Sequence, residues 1–167
     1  MAKITFNGSQ IQTCGSIPSV ETKAMDFCLT GIDLLDVSLS NFRGKRIVMN
    51  IFPSIDTGVC STSVRRFNSE VEKMRNAVVL CISADLPFAL SRFCGAEGLT
   101  NVVPLSELRP PRSFGEDYGL RMIDGPLAGL FSRTVIVIDE NQNIIYTEQV
   151  SDIAQEPKYK PVVDLLK

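Results

Sequence analysis

Histidine is absent from the 167 residues of this chain. Without imidazole there is no Ser-His or Cys-His catalytic pair within the chain, and no histidine-ligated zinc, copper or haem. An excess of charge is missing too. The 17 lysines and arginines against 19 aspartates and glutamates leave a net charge of -2 with the signs interspersed, which gives no footprint for nucleic acid or an anionic membrane surface. No apolar run approaches the ~20 residues of a membrane span, and the opening Met1-Ala2-Lys3-Ile4-Thr5-Phe6 lacks the apolar core of a secretory signal. The expectation is a cytoplasmic protein with small-molecule or protein partners and no bound cofactor. Closely paired cysteines are lacking as well. Cys14, Cys28, Cys60, Cys81 and Cys94 show neither zinc-ribbon spacing nor a compact dithiol motif, and an odd number in a reducing compartment argues against a structural disulfide framework. Reactive sulfur is the better reading.

What the chain does contain is enough apolar residue for one core. At 44% hydrophobic and 22% charged over 167 residues, a chain of this size buries roughly 70% of its unfolded surface. A single domain over 1–167 is expected, with 1–16 as an N-terminal hairpin extension. Asn7-Gly8 between Ile4-Thr5-Phe6 and Gln10-Ile11-Gln12-Thr13 is a strong hairpin signal. Asp33 to Leu39 is a short segment, and Asn41 with Gly44 marks the turn into Ile47 to Phe52, a nearly continuous apolar run that reads as a buried strand stopped by Pro53. Val64, Phe67, Val71 and Met74 recur at helical spacing, which predicts an amphipathic helix over 61–75. Ala77 to Ser83 is a second buried strand, so the unit is strand, helix, parallel strand with a right-handed crossover. Pro87 to Glu97 before Gly98 predicts a helix, 101–103 a short strand and 114–120 a brief helix. Thr134 to Ile138 and Ile144 to Thr147 flank a hairpin connection, and Tyr159 to Leu166 makes a closing helix. This order predicts an α/β thioredoxin-like fold, a mixed central sheet flanked by helices. A fold of that kind does not fix a function.

The chemistry concentrates at Thr57-Gly58-Val59-Cys60. With Thr57 as the N-cap, Cys60 falls at the third helical position, where unpaired backbone N–H groups and the positive end of the helix dipole favour a thiolate over a thiol. Arg65 and Arg66 lie in the next turns. Such settings turn a mostly protonated thiol into a ready nucleophile. The competing reading is a small buried hydrophobe, since free cysteine is among the most buried residue types. Cys81, inside an apolar strand, reads as core.

Pro53, Thr57 and Cys60, joined to Cys94 in Ser91-Arg92-Phe93-Cys94-Gly95-Ala96-Glu97-Gly98, closely resemble the bacterial thiol peroxidases, atypical two-cysteine peroxiredoxins. The likeness runs through nearly the whole chain. It takes in Gly44-Lys45-Arg46, the stretch from Val79 through Ser83-Ala84-Asp85-Leu86-Pro87-Phe88, and Asp124-Gly125-Pro126-Leu127-Ala128-Gly129-Leu130. The resemblance implies that Cys60 is the peroxidatic cysteine, oxidised by hydrogen peroxide or organic hydroperoxides to a sulfenic acid. It implies Thr57 as a hydroxyl contact to bound peroxide, Pro53 as a shield from water, and Arg133 as the guanidinium that stabilises thiolate and developing charge. Cys94 is then the resolving cysteine, forming an intrachain disulfide with Cys60 that thioredoxin reduces. A homodimer is implied as well. The chain departs from the pattern at Met25, where proline is common, and at Pro110-Pro111-Arg112.

Without the resemblance, Arg133 reads most simply as a surface cation at a strand start, and Phe88, Phe93, Leu127 and Leu130 as core or interface. Two other functions fit some of the same residues. One is a redox-sensing binding protein switched by the Cys60–Cys94 disulfide, although no basic reading helix or other output surface is evident. The other is a general disulfide oxidoreductase, against which the wide separation of the two cysteines argues.

Overall fold

A computed structural model describes residues 1–167. Nine strands are β1 Lys3–Phe6, β2 Ser9–Gln12, β3 Cys28–Gly31, β4 Asp36–Ser38, β5 Arg46–Ile51, β6 Ala77–Ser83, β7 Val102–Ser106, β8 Thr134–Ile138 and β9 Ile144–Gln149. The helices are α1 Gly58–Glu70, α2 Pro87–Glu97, α3 Phe114–Asp117 and α4 Tyr159–Leu166. Seven strands form one sheet in the order β4-β3-β7-β6-β5-β8-β9, and β1 with β2 forms a separate hairpin. β5, β6 and β7 run parallel while β8 lies antiparallel against β5. The expected mixed sheet and N-terminal hairpin are both present.

The central strands are apolar on both sides because both faces of the sheet are covered. Along β5, Ile47, Met49 and Ile51 enter one cluster with Phe114, Tyr118 and Phe131. Val48 and Phe52 enter the other with Val64 and Phe67 of α1, Leu90 of α2 and Val162 of α4. The same alternation along β8 sends Ile136 and Ile138 to the first face and Val135 and Val137 to the second, as the two-residue period of a strand requires.

Several boundaries differ from expectation. α1 begins at Gly58, three residues early, and ends at Glu70, after which Val71–Lys73 tightens into a 3-10 turn. β3 and β4 were not legible, being short and without clear alternation; the second falls inside the short 33–39 segment. β7 continues through Pro104 to Ser106, past the expected end at 103. Proline is tolerated there because β3 reaches only Leu105 and Ser106, so the ladder beside Pro104 is open. α3 stops at Asp117 because Gly119 turns back with φ +67.

Gly119 also brings two distant segments together. A Cβ built there would meet the Ser16 backbone, its carbonyl oxygen at 2.2 Å and its carbonyl carbon at 2.6 Å. Gly119→Ala therefore combines a left-handed backbone with a clash that no rotamer relieves, and should destabilise by more than about 1 kcal/mol. Denaturant unfolding measures it, and an unchanged midpoint would refute the packing described.

Candidate active site

The site forms where β5 ends and β8 begins. Because the two strands are antiparallel with Ile51 opposite Thr134, the residues just after β5 and just before β8 share one edge of the sheet. Arg133 precedes β8 with the parity of Val135 and Val137, so its side chain enters the face occupied by α1. Arg133 is 2% exposed, which removes the competing reading of a surface cation. Strand register carries it inward.

After β5, the Phe52 amide still donates to the Ile82 carbonyl, and Pro53 then closes the strand in a buried position. The loop that follows is held by Asp85, beyond the end of β6. Its carboxylate accepts from the Ser54 hydroxyl at 2.8 Å, the Ile55 amide at 2.7 Å and the Ser83 hydroxyl at 2.6 Å. Thr57 is the N-cap residue by backbone geometry, with φ -107 and ψ 147. Its hydroxyl does not cap the helix but donates to the Ser54 carbonyl at 2.9 Å. The first-turn amides of α1 therefore have no side-chain cap, which leaves their positive ends directed at the sulfur region.

Cys60 sits at the third position of α1 and is fully buried. Arg133 Nη2 lies 3.3 Å from its Sγ. The same guanidinium donates from Nε and Nη2 to the Ile153 carbonyl, at 3.0 and 2.9 Å. Nη1 is buried without a hydrogen-bond partner, and no carboxylate pairs with this arginine. A buried cation without a carboxylate is costly unless an anion answers it. The adjacent sulfur is the group that can. Pro53, Thr57 and Arg133 line a cavity of about 210 Å³ together with apolar Phe6, Leu127 and Ile153.

Cys94 is buried on α2, in the same apolar cluster as Cys60. Burial raises its thiol above the usual cysteine range, so it rests protonated. Both thiols are free and each lies within a formed helix. Cys81 is in the core as expected, its thiol pushed up to about 12 chiefly by burial, which rules it out as a resting nucleophile. Cys28 is exposed, and Cys14 is half-buried with its thiol on the Gly115 carbonyl. Phe88 is neither core nor half-buried but 64% exposed, while Phe93, Leu127 and Leu130 pack against clusters. No group of three or more Cys, Asp or Glu side chains converges as a metal site.

Residues 16–163 match the family described as Redoxin. A protein called thiol peroxidase from Mycobacterium tuberculosis is 52% identical over 166 residues, 99% of each chain. The chain belongs to the thiol peroxidase branch of the redoxin family. Among solved structures, a peroxiredoxin-like protein from Aquifex aeolicus superposes with a TM-score of 0.91 at 30% identity, covering 99% of this chain and 95% of the other. A thiol peroxidase from Chromobacterium violaceum gives the same TM-score and coverage at 21% identity, a likeness of fold. The thioredoxin-like architecture of this redoxin is thereby established. No helix in it is long and apolar enough to cross a membrane.

Two participants had escaped sequence reasoning. The Ile153 carbonyl is a backbone group and leaves no trace in residue type. Asp85 did leave one, as a carboxylate just past the end of the strand parallel to β5, at the edge where Pro53 lies.

Proposed function

We propose that this redoxin reduces hydroperoxides at the expense of thiols, with Cys60 as peroxidatic sulfur, Cys94 as resolving sulfur and a thioredoxin-type dithiol as reductant. The observation that carries the reading is the Arg133 guanidinium. It is buried, lacks a carboxylate, donates to the Cys60 sulfur and leaves Nη1 without a partner, in a residue that lines the cavity.

The Cys60 thiolate supplies an electron pair to one peroxide oxygen, so the S–O bond forms as the O–O bond breaks. The departing oxygen gathers negative charge, takes a proton and leaves as water or an alcohol. Donors fixed in advance around that oxygen, the Arg133 guanidinium and the first-turn amides, stabilise the transition state more than the ground state, and the Thr57 hydroxyl joins them only by turning away from the Ser54 carbonyl. Pro53 covers the sulfur side and keeps water out. The Cys94 thiol then attacks the sulfenic sulfur, forming the disulfide and releasing water. Two electrons and two protons from the dithiol restore both thiols. The apolar cavity walls suit the alkyl part of an organic hydroperoxide as well as hydrogen peroxide. A cytoplasmic homodimer is the setting we favour, with exposed Leu86 and Phe88 at the start of α2 as apolar surface for the partner copy. No observation favours a redox-sensing role without turnover.

A disulfide needs Cα atoms within about 7 Å and side chains aimed at each other, while both sulfurs sit inside formed helices. We infer that residues 57–66 and 88–98 unwind during the cycle. Two ion pairs oppose this. Asp56 accepts from Arg92 at 2.7 Å, and Glu97 accepts from Arg65 at 2.9 and 3.0 Å while Arg65 lies over Phe93. Exposed pairs of this kind are weak, screened by solvent and readily broken. Arg92→Ala should speed disulfide formation roughly two- to fivefold, seen in rapid-mixing kinetics of sulfenic acid decay; an unchanged or slower step would remove the latch.

Peptide mapping after one equivalent of peroxide tests the whole reading. A Cys60–Cys94 linkage supports it, and failure to turn over any hydroperoxide with a dithiol refutes it.

A further inference from the structure

The N-terminal hairpin, expected as a decoration of the domain, is wired to the guanidinium beside Cys60. β1 does not join the main sheet. It pairs instead with the turn that follows β9: the Thr5 amide donates to the Ser151 carbonyl at 2.8 Å, and the Ile153 amide to the Thr5 carbonyl at 2.9 Å. Asp152 gathers this junction. Its carboxylate accepts from the Thr5 hydroxyl at 2.8 Å, the Gly8 amide at 3.0 Å, the Asn7 amide at 3.3 Å and the Ala154 amide at 2.9 Å. The next residue, Ile153, buries its side chain with Ile4 and Ile11 of the hairpin. Its carbonyl is the acceptor that fixes both Nε and Nη2 of Arg133.

We propose that Asp152 and the β1–β2 hairpin form the positioning element of Arg133, with Asp152 a positioning residue for peroxide reduction. It ties the hairpin turn to residues 152–154 and so aims the Ile153 carbonyl. This rests on the reading of Cys60 and Arg133 given above. Arg133 has no carboxylate partner, so one backbone carbonyl sets the direction of its guanidinium. That carbonyl belongs to neither a helix nor a strand, and side-chain and hairpin contacts supply the rigidity a ladder would otherwise give. Loss of the tie releases the carbonyl, then the guanidinium, then the alignment at sulfur. Misplacement of about 1 Å at a reacting group is enough to cost up to 10²-fold in rate.

The test measures single-turnover oxidation of Cys60 by hydrogen peroxide, the pH dependence of Cys60 alkylation, and thermal stability in Asp152→Ala, Asp152→Asn and Thr5→Val. Expected for Asp152→Ala is a slowing of Cys60 oxidation by about tenfold or more and a shift of the alkylation profile to higher pH. Asp152→Asn, which keeps one acceptor oxygen, should recover part of both. Thr5→Val removes one of the four contacts, keeps the fold if Asp152→Ala does not, and should show a smaller shift in the same direction. A drop in stability with oxidation rate and alkylation profile unchanged in the folded variants would make Asp152 merely structural and overturn the inference. Persistence of turnover in Cys60→Ser would overturn the underlying reading as well, a result distinguishable because it leaves no role for this sulfur at all.

Discussion

Cys60→Ser is expected to lose hydroperoxide turnover by on the order of 10⁴-fold or more, leaving only the uncatalysed reaction of peroxide with the reductant. A hydroxyl in this pocket stays protonated and cannot offer a sulfur lone pair to the O–O bond. The replacement is nearly isosteric at a fully buried position, so the fold should persist. The companion variant, Cys94→Ser, should behave differently. One equivalent of peroxide still oxidises Cys60, the sulfenic acid accumulates and is trapped by a dimedone-type reagent, and recycling by a dithiol protein slows. If Cys60→Ser keeps turning over, or if both variants fail in the same way, the division of labour between the two sulfurs is wrong.

Arg133→Met should separate activity from stability. Loss of a fixed donor at developing negative charge costs about 10²–10³-fold in the chemical step, so Cys60 oxidation should slow by that order. Stability has two opposed contributions. The Ile153 carbonyl loses the donors it accepts from, which costs roughly 1–3 kcal/mol for a buried acceptor left alone. Against this, a buried cation with no carboxylate partner disappears, and removing such a charge regains several kcal/mol, as a rough figure. The melting temperature is therefore expected to hold or rise while activity collapses. A fall in both together, by calorimetry and rapid-mixing kinetics, would mark Arg133 as a structural residue.

The large elements were legible because their periodicity is forced by burial. Ile47 to Phe52 and Ala77 to Ser83 are apolar but for Asn50 and Ser83 since both faces of the sheet are covered, and Gly98 ends α2 with φ 66 as its lack of a Cβ allows. Thr57 is the N-cap residue and Cys60 the third residue of α1 as expected, yet the Thr57 hydroxyl serves the loop and not the cap, donating to the Ser54 carbonyl. β3 and β4 were invisible because strands of three and four residues carry too few alternating positions to register. Arg133 was legible only through the family resemblance, since residue type alone suits a surface cation and its inward parity with Val135 and Val137 comes from the sheet. Nothing in residue type reveals Ile153, since its contribution to the site is a carbonyl oxygen.

The contact between Arg133 and the Cys60 sulfur has a thermodynamic side. In the proposed cycle it exists only while that sulfur is reduced; a Cys60 sulfur joined to Cys94 would carry no charge for the guanidinium to answer. An interaction confined to the dithiol form raises the reduction potential of the pair, by about 30 mV for each 1.4 kcal/mol in a two-electron couple. In the proposed cycle the arginine that hastens oxidation by peroxide thus also makes the resulting disulfide a stronger oxidant. Electrons move downhill twice, from the donor dithiol into the protein and from the protein to peroxide.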